Sequence, residues 1–205
     1  MKSMPGTWIL ILILLAIFGV EISTHTMGDE TALLKLGALP ANGQLHGEYW
    51  RLLTYAFLHL NWTHILVNLA LLWWVGRIVE RRTGTGRFAL IYLVSILLSG
   101  VTILFKYAMA PSEGAAIGAS GGVFGLLGAA LVLVYRRDMA TFGQDRGLRT
   151  GLWICLAIGL LISFLPGVST AGHIGGLIAG LILGAIVSAK DDSVWFRIRK
   201  SPSGT

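Results

Sequence analysis

Long apolar runs separated by short basic connections make up most of this chain. A run of about twenty apolar residues lets an α-helix cross the hydrocarbon core of a bilayer. The last long uncharged stretch, 150–189, is divided by Pro166-Gly167 and can hold two such helices. The pattern therefore predicts an all-α membrane protein, a six-transmembrane-helix bundle in one domain (1–205). The expected spans are 7–22, 63–79, 88–107, 115–135, 148–165 and 170–189, followed by a polar tail, 190–205.

The connection after the first run, residues 23–58, is too long to be structureless in a compact protein. Within it, Ala32–Leu39 predicts a short interfacial helix ended by Pro40, and Trp50-Arg51 offers a ring and a guanidinium at headgroup depth. The first run also resembles a secretory signal peptide. Since no small-x-small cleavage site follows it, we expect an uncleaved span.

Composition supports the membrane interpretation. Only 13% of the 205 residues are charged, whereas soluble domains carry about a quarter. The net charge of +6 does not indicate nucleic-acid binding, because the basic residues lie between apolar runs, where membrane topology explains them. The single cysteine, Cys155, lies inside an apolar run, so neither an intramolecular disulfide nor a thiolate nucleophile is expected.

The basic residues also predict the orientation of the bundle. Three of the sixteen, Lys35, Arg51 and Lys106, lie in one set of connections, and the other thirteen lie in the opposite set. Cytoplasmic connections carry the excess of lysine and arginine, which places both termini in the cytoplasm. The thirteen are Lys2, Arg77, Arg81, Arg82, Arg87, Arg136, Arg137, Arg146, Arg149, Lys190, Arg197, Arg199 and Lys200.

Polar side chains occur at the outer ends of three different spans. His64 and Asn68 begin the second span, Ser120 the fourth and His173 the sixth. At a rise of about 1.5 Å per residue, all four should lie within about 10 Å of depth of each other. Polar groups in hydrocarbon are costly and usually face the bundle interior. We therefore expect a site in the outer half of the bilayer.

The residue types indicate acyl-transfer chemistry. A serine hydroxyl becomes a nucleophile when a neighbouring histidine takes its proton, so Ser120 and His173 would form a dyad. The later spans supply no carboxylate, and packing and backbone hydrogen bonds must then orient the imidazole. His64 and Asn68 share a helix face and, with the backbone N–H of Ser120, could stabilise an oxyanion.

Other interpretations of these residues stay open at this point. His59 could be a packing residue, and Asn61 could cap a helix or face the interface. Two of His59, His64 and His173 could bind haem. Zinc would need ligands that the sequence does not supply, and a transporter would need more polar groups in the inner half of the spans. We expect neither a metal nor another cofactor.

Four motifs, in this order, resemble the bacterial rhomboid intramembrane serine proteases. They match over nearly the whole chain, most specifically from Trp50 to about Gly184. The motifs are Trp50-Arg51, His59 with His64-Ile65-Leu66-Val67-Asn68, Gly118-Ala119-Ser120-Gly121, and Gly172-His173-Ile174-Gly175-Gly176 with Gly180.

The resemblance implies Ser120 as nucleophile, His173 as general base, and His64, Asn68 and the Ser120 N–H as the oxyanion site. Gly118 would hold the preceding loop close to the substrate. Phe124 stands where many relatives carry tyrosine and would still stack on the histidine. The supporting residues are His59, Trp50, Arg51, Gly176 and Gly180, the two glycines lying on small-residue faces that pack helices.

The resemblance also implies partners and a location. Substrates would be single-span transmembrane proteins cut near the outer end of their helix, in the bacterial inner membrane, with the active site opening outward. A wet cavity lined by His59, His64, Asn68, Ser120 and His173 is expected. The alternative is an inactive relative that binds membrane clients. The sequence does not determine the oligomeric state or the helix that admits substrate; the fifth span, with few polar groups beyond Ser163, is a candidate gate.

Overall fold

The computed structural model describes residues 4–112, 114–140 and 146–200, and this part of the chain is predominantly helical, as predicted. Lys2, Glu113 and the last five residues of the predicted tail lie outside the described residues. The helices are α1 (Pro5–Ser23), α2 (Glu30–Leu36), α3 (Arg51–Thr54), α4 (Trp62–Thr83), α5 (Thr85–Met109), α6 (Ser120–Ala140), α7 (Arg146–Ile162) and α8 (Thr170–Lys200). A 3₁₀ turn, Tyr55–Phe57, precedes α4, and strands β1 (Leu39–Pro40) and β2 (Ala115–Ala116) pair antiparallel.

The chain is a multi-pass membrane protein. Among the described residues, four helices are long and apolar enough to cross a bilayer: α1, α4, α5 and the 170–187 part of α8. The apolar part of α6, Ser120–Arg136, is shorter. Large apolar side chains such as Leu66, Phe105 and Ile182 are exposed on these helices, as expected for surfaces that contact lipid. Helix α8 continues to Lys200, so most of the predicted polar tail is helical.

Helix α6 lies at the centre of the bundle. Every side chain from 121 to 131 is buried, and α6 packs against α8, α5, α4 and α7. A helix that is apolar on all sides belongs in such a position. The glycines on α8 let the two backbones touch, because a Cβ on Gly176 would overlap the carbonyl oxygen of Gly121 and one on Gly180 that of Gly125. Small residues permit this close approach.

Helix α6 begins at Ser120, five residues after the expected start of the fourth span. Ala115 and Ala116 instead pair with β1. Gly118 has φ +117°, a conformation that residues with a side chain rarely adopt and that no α-helix contains. The turn at Gly118 therefore separates the strand from the helix, and it places the free N–H groups of the helix start at Ser120.

The connection between α1 and α4, which is predicted to lie on the outer side and is termed the outer connection here, contains the predicted short helix with shifted bounds. Asp29 caps α2 by accepting a hydrogen bond from the N–H of Ala32 at 3.1 Å. The helix ends at Gly37, which has φ +114°, and not at Pro40 as expected. A glycine in the left-handed region is a common helix stop, so α2 covers Glu30–Leu36.

One guanidinium joins several parts of this connection. Nη1 of Arg51 donates to the carbonyl oxygens of Leu34 at 2.5 Å and Ala38 at 2.9 Å. Nε of Arg51 donates to Oε2 of Glu48 at 2.7 Å, and the guanidinium lies 4.7 Å from the centre of the Trp50 ring. Arg51 thus fixes the end of α2 against the start of α3.

At the other end of the bundle, a buried carboxylate joins three helices. Glu80, 2% exposed, accepts hydrogen bonds from the N–H groups of Gly6 and Thr7, both at 2.8 Å, and from the hydroxyls of Thr7 at 2.6 Å and Thr85 at 2.7 Å. The bonds connect α1 and α5 to α4. Since the carboxylate satisfies four donors, its loss should destabilise the fold.

We expect Glu80→Ala to lower the free energy of unfolding by about 3 kcal/mol, because buried donors lose their only acceptor. The measurement is the thermal midpoint of the purified protein in detergent. Glu48→Ala is the control, since the Glu48 side chain is 47% exposed, and a solvated carboxylate of this kind contributes little through its ion pair with Arg51. Equal midpoints for the two variants would contradict the structural role of Glu80.

Candidate active site

Ser120 and His173 come together at the starts of two helices in contact. Ser120 is the first residue of α6 and His173 lies in the first turn of α8. Nε2 of His173 is 2.8 Å from Oγ of Ser120, within hydrogen-bond distance. The side chains of Ser120 and His173, which the sequence predicts at the same depth in the bilayer, are therefore in direct contact.

The imidazole of His173 is also held at its other nitrogen and on one face. Nδ1 lies 2.6 Å from Oγ of Ser163, a side chain that is 1% exposed and follows the last residue of α7. The ring of Phe124 stacks on the imidazole, with centroids 4.1 Å apart and an angle of 10° between the planes. The sequence predicts that packing and backbone hydrogen bonds orient the imidazole, whereas the structure shows a side-chain hydroxyl at Nδ1.

His64 lies against the turn that precedes Ser120. A Cβ built on Gly118 would be 2.6 Å from Nε2 of His64, so only glycine leaves room for the ring. Nδ1 of His64 accepts a long hydrogen bond, 3.5 Å, from the N–H of Leu60. In a neutral imidazole the proton then lies on Nε2, and His64 presents a donor beside the start of α6.

Asn68 lies one turn further along α4 and is 3% exposed. Its amide nitrogen donates to the carbonyl oxygen of His64 at 2.9 Å, and this leaves one of its two N–H groups for another acceptor. Asn61 caps the same helix, because its Oδ1 accepts from the N–H of His64 at 2.9 Å. The two asparagines thus fix the backbone on either side of His64.

His59 lies behind His64 and away from solvent. It is 0% exposed, and its ring meets that of His64 edge-on at 5.0 Å. The backbone N–H of His59 donates to Oε1 of Glu21 at 2.9 Å, and the centre of the Phe18 ring lies 6.5 Å from that of the imidazole. The expectation that His59 lines an outward-open cavity is therefore wrong, because α1 covers it. Burial, with a smaller effect of His64, lowers its pKa to about 3, so His59 is neutral.

The other predicted residues lie outside this cluster. Trp50 and Arg51 are in the outer connection, where Arg51 binds the end of α2. Gly176 and Gly180 lie deeper, in the contact between α8 and α6. Within the described ranges, no group of three or more His, Cys, Asp or Glu side chains is arranged to hold a metal ion.

Fold and site together define a multi-pass helical membrane protein with a serine–histidine pair at two helix starts. The chain belongs to the rhomboid family, because the Rhomboid domain model matches residues 46–190. It is similar to the Rhomboid protease GluP of Bacillus subtilis (strain 168), with 38% identity over 166 residues, which are 80% of this chain and 31% of that protein. The chain thus spans about a third of the length of this curated relative.

Proposed function

We propose that this protein is an intramembrane serine endopeptidase that uses a Ser120–His173 dyad. The observation that carries the proposal is the 2.8 Å contact between Nε2 of His173 and Oγ of Ser120. Its membership of the rhomboid family and its similarity to a rhomboid protease support the same activity.

The chemistry follows from the positions of the two side chains. Oγ of Ser120 attacks the carbonyl carbon of a peptide bond while Nε2 of His173 takes the hydroxyl proton. The imidazolium then gives that proton to the departing amine, and the peptide C–N bond breaks to leave an acyl-enzyme. Water, deprotonated by the same nitrogen, attacks the ester and releases the acid and Ser120.

Three donors are available for the oxyanion that forms during attack. They are Nε2–H of His64, the second amide N–H of Asn68 and the backbone N–H of Ser120, which is free at the helix start. Preorganised donors of this kind each contribute on the order of 3 kcal/mol to transition-state stabilisation. Gly118 keeps the turn before α6 close to the His64 ring. The imidazole of His64 therefore lies beside the turn that leads into Ser120.

We propose single-span membrane proteins as substrates, cut in or near the outer end of their transmembrane helix. The six spans would be α1 and α4 to α8, in a bacterial inner membrane with both termini in the cytoplasm. The charge bias of the connections supports this orientation, and it opens the site to the outer side. Because backbone groups in hydrocarbon are bonded within the helix, the substrate must unwind there before Ser120 can attack.

Ser120→Ala should abolish both cleavage of a transmembrane substrate and labelling by a fluorophosphonate, since the attacking oxygen is removed. The measurement uses purified protein in detergent and in liposomes, with gel analysis of substrate and mass spectrometry of the labelled peptide. Ser95→Ala is the control: Ser95 is a buried serine on α5, away from His173. Labelling that persists in Ser120→Ala would refute the assignment of the nucleophile. Binding of intact substrate without cleavage by the unmodified protein would indicate the inactive, client-binding alternative.

A further inference from the structure

We propose that Ser163 is a positioning residue that holds His173 in the tautomer needed for catalysis. The inference rests on the proposed endopeptidase function and concerns the same site. A general base must present an unprotonated Nε2 to Ser120, so the ring proton must lie on Nδ1. In many hydrolases a carboxylate accepts this proton's hydrogen bond. Here the group at Nδ1 is the hydroxyl of Ser163, at 2.6 Å.

The direction of this hydrogen bond follows from the second contact of the same hydroxyl. Oγ of Ser163 lies 2.7 Å from the carbonyl oxygen of Gly159, which can only accept. A hydroxyl carries a single proton, and the short contact to a carbonyl requires that proton to point towards Gly159. Oγ then has only lone pairs to offer His173, and the proton of this bond must belong to Nδ1.

The reverse arrangement is disfavoured by the same distances. If the Ser163 hydroxyl turned to donate to Nδ1, its oxygen would face the Gly159 carbonyl at 2.7 Å with no proton between them, which is electrostatically repulsive. The proton of the imidazole would then lie on Nε2, where it would meet Ser120 as a donor. Such a histidine could not remove the serine proton.

The surroundings of Ser163 hold the hydroxyl in place. The hydroxyl of Thr170, the first residue of α8, donates to the carbonyl oxygen of Ser163 at 2.5 Å. Gly159 leaves room for Phe124, because a Cβ there would lie 2.7 Å from Cζ of that ring. The end of α7 therefore supplies both the acceptor for Nδ1–H and the space for the stacked phenyl ring.

During attack, the serine proton moves from Oγ of Ser120 to Nε2 of His173, and no proton moves to Ser163. The imidazolium that forms keeps its Nδ1–H on the Ser163 oxygen, whose own proton stays with Gly159. A hydrogen bond to the charged form is stronger than one to the neutral form. Ser163 thus stabilises the imidazolium without a carboxylate in the membrane.

The test compares steady-state cleavage of a transmembrane substrate by three variants in liposomes. Ser163→Ala should lower kcat about 10- to 100-fold with KM unchanged, because the imidazolium that forms during attack loses the acceptor of its Nδ1–H. Ser163→Thr, which keeps the hydroxyl, should recover kcat to within about fivefold of the unmodified protein. Ser95→Ala, a buried serine on α5, should retain full activity, and the thermal midpoints of all three should be similar.

Two results would overturn this role while leaving the protease proposal intact. One is a Ser163→Ala variant with unmodified kcat in a protein that Ser120→Ala inactivates. The other is an equal loss of kcat and thermal stability in both Ser163→Ala and Ser163→Thr, which indicates a packing role. If the unmodified protein shows no Ser120-dependent cleavage or labelling, the proposed function itself fails.

Discussion

His173→Ala should reduce cleavage of a transmembrane substrate by at least about 10³-fold, since the dyad loses its only general base. Without Nε2, 2.8 Å from Oγ of Ser120, the hydroxyl keeps its proton and is a weak nucleophile. The loss should appear in kcat, because substrate contacts with the remaining site are retained. Fluorophosphonate labelling of Ser120 should fall in parallel, since both reactions need the same activated oxygen.

The matched control for this variant is His46→Asn. His46 is exposed in the outer connection, and its φ of +48° is one that asparagine tolerates. The control should keep the activity and the thermal midpoint of the unmodified protein. Strong labelling of Ser120 in His173→Ala would contradict the dyad, because it would require another base beside the hydroxyl.

The sequence was sufficient to predict an all-helical membrane protein and the meeting of Ser120 with His173. The apolar runs follow from local composition, and the depth of the polar residues at the run ends follows from the helix rise. A single sequence displays both directly. The position of His64 beside Gly118 was not predicted, since Gly118 was expected only to hold the preceding loop close to the substrate. The glycine separates the strand from α6, and its lack of a side chain provides the space that the ring occupies.

The role of Ser163 was not predicted, because it depends on the rotation of α7 relative to α8. The hydrophobic pattern of a lipid-exposed helix restricts that rotation only loosely. A signal was nevertheless present: Pro166-Gly167 turns the chain between Ser163 and His173. Ser163, directly after α7, and His173, in the first turn of α8, therefore lie at similar depth. The sequence supplied no carboxylate as a third member of the site, whereas the structure places a hydroxyl at Nδ1 of His173.

The structure of the outer connection shows a second limit. Asp29 and Gly37 are ordinary signals for the start and end of α2, yet the expected stop was Pro40. The pairing of Leu39 with Ala116 joins residues far apart in the chain, and two-residue strands leave no periodic pattern. The short ladder, and with it the late start of α6 at Ser120, could therefore be learned only from the fold.

Gly180→Ala should separate α6 from α8 and strongly lower the activity, although Gly180 lies outside the dyad. The new methyl group would overlap the carbonyl oxygen of Gly125, which belongs to a helix backbone and cannot rotate away. Overpacking of this kind costs about 1–3 kcal/mol. Because Ser120 and His173 belong to the two helices that must move apart, a displacement of about 1 Å should lower kcat about 10²-fold.

Gly19→Ala makes the same change where the structure leaves space, since no atom lies within 4 Å of a Cβ at Gly19 on α1. Alanine favours a helix over glycine by about 1 kcal/mol, so this control should be fully active and at least as stable. The measurements are thermal midpoint, kcat and the rate of fluorophosphonate labelling. If Gly180→Ala matches Gly19→Ala in all three, the two backbones do not touch, and close contact of α6 with α8 is not what brings Ser120 and His173 together.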